Sequence, residues 1–116
     1  MKARHIWVEF PVFSDYIVHV EITSDLKKSL SKYPQTEVIP DEESDHCEGM
    51  VVHDTDGCLS FLFLKHNASV GTIAHESWHV IKRMLDVMGV EIDSETTAYH
   101  LGYLVNKVFQ FMRGKK

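Results

Sequence analysis

Five consecutive residues carry the strongest chemical signal in this chain: His75-Glu76-Ser77-Trp78-His79. Side chains four positions apart on a helix stand on one face, one turn from each other. Two imidazoles spaced that way can point at one metal ion and fill two corners of a tetrahedral zinc site. Glu76 follows the first histidine directly, so its carboxylate reaches the neighbourhood of the ion without ligating it. There it is placed to take a proton from a water that the ion polarises. With 8 histidines and 9 glutamates in 116 residues, chance supplies this pattern about 0.04 times over the chain. It is therefore read as a site.

The pattern needs a helix, and the flanking residues predict one from about Ser69 to Met88. Ser69 is a good N-cap, and Gly89 stands where a helix is commonly closed. Val70, Ile73, Ala74, Ser77, Ile81, Met84, Leu85 and Met88 form an apolar stripe at 3.6 spacing, suited to packing on a sheet. His75 and His79 fall near the opposite side, with Glu76 on the flank between. Asp93 and Ser94 then open a last helix, from about Glu95 to Met112, with a stripe of Ala98, Leu101, Gly102, Val105, Val108, Phe109 and Met112. Two helices joined by about five residues pack as an antiparallel hairpin. That brings Glu95, in the first turn, forward as the natural third metal ligand, with Asp93, Glu91 and His100 as its rivals. Tyr99, one turn after Glu95 on nearly the same face, is either a donor to that ligand or to a developing oxyanion, or an aromatic packed between helices.

The rest of the chain must build the floor. His5–Phe13 and Tyr16–Ile22 read as two strands of a hairpin, with His19 on the polar face of the second. A short helix follows over Asp25–Tyr33, capped by Thr23 or Ser24 and stopped by Pro34. Gln35–Gly49 is dense in acids and reads as an exposed loop. Met50–Asp54 and Cys58–Lys65 flank Asp56-Gly57, the clearest hairpin signal in the chain. The second of these strands is apolar throughout, as a central strand would be. Either strand would serve to hold an extended peptide by strand addition. The expected fold is α+β: one domain over residues 1–116, a small antiparallel or mixed sheet of about four strands, in the order β-β-α-β-β-α-α.

Composition bounds the function. Hydrophobic content is 44% and charged content 25%, ordinary for a globular chain. A net charge of −5, from 17 acids against 12 bases, argues against a nucleic-acid surface. No run approaches a membrane span and none is built like a signal peptide. Cys47 and Cys58 are too few for a disulfide scaffold and are expected as reduced thiols in a cytoplasm.

The stretch H-E-S-W-H-V-I-K-R-M-L-D-V-M-G, followed by D-S-E-T-T-A-Y-H-L-G-Y-L, resembles the minimal gluzincin-like zinc metallopeptidases of bacteriophages and mobile elements. The resemblance covers about residues 58–108. It implies Zn2+ held by His75, His79 and Glu95, with Glu76 as general base and a peptide or protein as substrate. The function expected on this footing is zinc-dependent hydrolysis of a peptide bond by a bacterial or phage-encoded cytoplasmic protein. The alternative is a catalytically silent interaction module of the same origin, with or without metal.

Overall fold

The computed structural model describes residues 3–32, 38–40, 48–55 and 57–114. Its elements are β1 (Arg4–Glu9), β2 (Ile17–Thr23), α1 (Leu26–Ser31), β3 (Val38–Pro40), β4 (Gly49–Asp54), β5 (Leu59–Lys65), α2 (Val70–Val87) and α3 (Ser94–Met112). The α+β class and the element order agree with the sequence reading. The sheet has five strands rather than about four, because β3 lies inside the segment read as a loop. Residues 41–47 of that acidic stretch, Cys47 included, fall outside the described residues.

The strands stand in the order β1-β2-β5-β4-β3. β1 and β2 form the expected antiparallel hairpin, with Trp7 opposite His19. β4 and β5 form the second, with Val51 opposite Leu62. The hairpins join through β2 and β5, which run parallel with Val20 opposite Leu62. β5 is therefore central, and its run from Ser60 to Leu64 is buried on both faces. Gly57 closes the β4–β5 turn at φ +119°, a conformation that a side chain strongly disfavours.

The two faces of the sheet are covered unequally. Alternation along β2 and β5 sends Val18, Val20, Ile22, Leu62 and Leu64 to one face. There they meet Ile73, Val80, Ile81, Met84 and Leu85 of α2 and Leu104 and Val108 of α3 in the main core. The other face carries a smaller cluster of Val52, Phe61 and Phe63, covered by Leu26 and Leu30 of α1. The cap of α1 is Asp25, whose carboxylate accepts from Lys28 N at 3.0 Å, and not Thr23 or Ser24. Thr23 instead accepts from Asp25 N at 3.2 Å and shapes the approach.

This second face overturns the reading of His19. It was expected on a solvated side, yet only 2% of it is exposed. His5 stacks on it at 5.2 Å, Trp7 meets it edge-on at 4.5 Å, and Phe61 closes the far side. Its Nε2 stands 3.7 Å from Glu21, a fully buried carboxylate that pairs with Lys32 at 2.7 Å. Desolvation, helped by the charge on His5, holds the His19 pKa below the usual histidine value against the pull of Glu21.

Candidate functional site

α2 begins and ends where the sequence predicts, although Val70 of the expected apolar stripe is exposed and His79, expected away from that stripe, is buried. Ser69 caps it, its hydroxyl accepting from Thr72 N at 3.1 Å. A second acceptor was not foreseen. Glu48 takes hydrogen bonds from Ser69 N at 3.0 Å and from the Thr72 hydroxyl at 2.7 Å. A carboxylate there complements the positive end of the helix and ties its first turn to the start of β4. Nothing near Glu48 in sequence announces this, because its partners lie 21 and 24 residues further on.

One turn into α2, the imidazoles of His75 and His79 lie side by side, with ring centroids 4.9 Å apart and planes 69° to each other. His75 is exposed and His79 is buried. Counting about 100° per residue from Val80, which faces the sheet, His79 and His75 lie about 100° and 140° to one side. Thr72, Glu76 and Arg83 share that side, and each reaches the β4 margin. Thr72 bonds Glu48, Glu76 packs beside Gly49, and Arg83 donates to the Asp54 carbonyl at 3.3 Å. Ile81 and Leu85 point the other way, into the core with α3.

Glu76 is fully buried, deeper than the flank position expected of it. It sits between α2 and β4 because Gly49 leaves room: a Cβ built on Gly49 would stand 3.1 Å from Glu76 Cγ. The two histidines and Glu76 are thus brought together by one helix, with Glu76 held against β4.

The residues expected from α3 stand apart from this group. The buried stripe of α3 is His100, Leu104 and Val108, shifted from the one expected, and Gly102 and Ala98 are exposed. Glu95 lies about 180° around the helix from Leu104 and is exposed. Tyr99 shares that outer side, 54% exposed and edge-on to His100 at 5.0 Å. Asp93 caps α3, accepting from Thr96 N at 2.8 Å and from the Thr96 hydroxyl at 3.1 Å. Those bonds hold its pKa below the usual carboxylate value. His100 is buried against Phe10 and Phe13, with Nδ1 2.8 Å from the Thr96 carbonyl. Glu91 is exposed. Among the described residues, no three of His, Cys, Asp or Glu gather into a group able to hold a metal ion.

A polar chain missed by the sequence reading runs beneath the helix. The Tyr16 hydroxyl and Ser60 Oγ are 2.5 Å apart, and His53 Nδ1 is 2.8 Å from the same Ser60 oxygen. Burial pushes the Tyr16 phenol up to about 12, against the opposing pull of Ser60 and Arg83. Peptide binding by β5 is closed off, since β2 and β4 occupy both its edges. β4 is paired on its outer side by β3 over Val52–Asp54.

No helix among the described residues is long and apolar enough to cross a membrane. Comparison with protein-family models, with characterised proteins and with solved structures finds no match.

Proposed function

We propose that this chain is a zinc-dependent peptide-bond hydrolase. The observation that carries the reading is the pair of adjacent imidazoles on α2, with the Glu76 carboxylate one residue after the first of them. The donor set fits zinc at two positions, because neutral imidazoles are among its ordinary ligands. His75 and His79 would hold the ion, which supplies Lewis acidity toward a carbonyl. Glu76 then takes a proton from the attacking water and returns it to the leaving amine. Glu48 and Thr72 fix the start of the helix, and Gly49 lets it approach the sheet. Glu95 as third ligand and Tyr99 as oxyanion donor enter this reading from the sequence alone.

The test is metal content and hydrolysis measured together. Protein purified without added metal should carry close to one zinc per chain, lost in His75→Ala and His79→Ala. Glu76→Gln should keep the metal and lose hydrolysis of a mixed peptide library. Glu95→Ala should lower zinc content if that carboxylate completes the set. Zinc that survives loss of both histidines would overturn the reading. A second reading, a binding module without hydrolysis, is favoured by the exposure of Glu95 on the outer side of α3. It predicts no turnover by the zinc-loaded chain.

A further inference from the structure

β1 ends the sheet, and no described strand pairs with its outer side. Two hydrogen bonds show which main-chain groups face outward. Ile17 N donates to Cys58 O across the β2–β5 seam, so Ile17, His19 and Glu21 turn toward β5, while Val18, Val20 and Ile22 turn toward β1. Through the register, Val8, Ile6 and Arg4 then pair with β2. The Glu9 carbonyl, accepting from the Tyr103 hydroxyl at 3.1 Å, points outward as this requires. His5 and Trp7 therefore present their N–H and C=O groups along an edge that no described strand pairs.

Sheet edges are commonly protected by inward-pointing charge, by proline or by a bulge. β1 has neither proline nor bulge along its length, and its one inward-side charge is engaged within the chain. Its one cation, Arg4, is turned back onto the Phe111 and Met112 carbonyls at 3.4 Å. Trp7 stands 56% exposed in the middle. Beside the edge runs a groove of about 660 Å³, bounded by β1 and by Tyr103, Lys107 and Phe111 of α3.

We propose that this edge is a dimer interface and that its occupant is β1 of a second copy, antiparallel. The outward residues are self-complementary about Trp7. A two-fold axis through Trp7 sets it against the partner's Trp7. The same axis places His5 opposite the partner's Glu9 at both ends, so that an imidazole donor meets a carboxylate twice. Register is fixed by this pairing, because the outward set repeats every second residue and a slip of two sets Trp7 against His5 and leaves Glu9 without its complement. The product is one continuous ten-stranded sheet. Its assembly is independent of the histidine pair, which lies near the other end of the sheet.

Sedimentation velocity on the full chain, over a range of concentrations, tests this. The expected species has twice the mass of one chain. His5→Glu faces two acids across each end and should raise the dimer dissociation constant roughly tenfold. Adding Glu9→Lys to that variant should restore assembly. Both residues are exposed, but His5 also stacks on His19, so circular dichroism must show an unchanged fold in each variant. Amide exchange at Trp7 should be slow in the dimer and fast on dilution. A chain that stays monomeric at every concentration overturns the proposal, including one that captures an extended peptide of another protein at this edge. So does a dimer that ignores both charge changes and leaves the Trp7 amide unprotected.

Discussion

Gly49→Ala isolates the contact on which the candidate site rests. The backbone at Gly49 needs no positive φ, since only Gly57, Gly89 and Gly114 have one. On conformational grounds alone alanine would stabilise, by about 0.4–1 kcal/mol through the unfolded chain. Sterics oppose it. The new methyl would stand 2.9 Å from Leu64 Cδ2, 3.1 Å from Glu76 Cγ and 3.2 Å from the Phe63 carbonyl oxygen. The carbonyl belongs to central β5 and cannot retreat without breaking its ladder. Leu64 and Glu76 are fully buried and have little space to turn into. Overpacking of this kind costs about 1–3 kcal/mol, and the backbone contact puts this case in the upper half. The net is a loss of about 1.5–2 kcal/mol, or a Tm about 6–8 °C lower for a chain of this size. Thermal and urea unfolding measure it. Leu64→Val removes the nearest obstructing atom, so the Gly49→Ala cost should be smaller in that background. If Gly49→Ala melts at or above the parent temperature, α2 does not sit as close to β4 as described and the placement of Glu76 fails with it.

Three further outcomes follow from the buried titrating groups and the caps. Tyr16, raised to about 12, should ionise well above the ordinary tyrosine value in an absorbance titration. Its raised folded pKa contributes stability that is intact below the ordinary tyrosine value near 10 and is lost as pH climbs toward 12, so Tyr16→Phe should flatten the alkaline part of the stability curve. The lowered pKa of His19 has the opposite sense. The neutral ring is the folded form, and its contribution holds above about 6.5 and falls away as the pH drops through the depressed value. NMR titration should find His19 shifted to the acid side of the ordinary histidine value, and a His19 that titrates at or above that value would contradict its burial. Asp93→Ala should fray the first turn of α3, read as faster amide exchange at Thr96 and Thr97. In the parent, acid should do the same as pH falls through the lowered pKa of Asp93. Unchanged exchange at Thr96 would show that the cap is not formed.

The local parts of this structure were written plainly in the sequence. Asp56-Gly57 between two apolar runs gave the β4–β5 hairpin, and Ser69 and Gly89 bracketed α2 to within a residue. What failed to show was whatever depends on a distant partner. His19 alternates with apolar residues as a surface residue does. Only the arrival of α1 and of the rings of Trp7 and Phe61 makes its face a second interior. The phase of α3 is not legible from its sequence because it carries apolar residues on several sides, and because His100 fills a core position against Phe10 and Phe13. The apolar spacing alone sets Glu95 beside the stripe, whereas the buried side of α3 lies about 180° from it at Leu104. Glu48 reads as one acid among many until Ser69 and Thr72 are brought to it.

The seam between β2 and β5 bears on the order in which the chain assembles. Its partners, Ile17 and Leu59, are forty-two positions apart, whereas Glu9 and Ile17 meet across eight. Closing the longer loop costs about 1.5 kcal/mol more in chain entropy, and that cost falls due before any packing beneath α2 can offset it. The two hairpins are thus the early, local events, and their union is the slow one. During synthesis the first hairpin leaves the ribosome with the β5-facing side of β2 bare, and it must wait for β5 before that side is covered. The helix bearing His75 and His79 is made later still, onto a floor that exists only once the seam has closed. A mutation in β2, far from any histidine of α2, should therefore slow the docking of α2 onto the sheet while leaving the final placement of His75 and His79 intact.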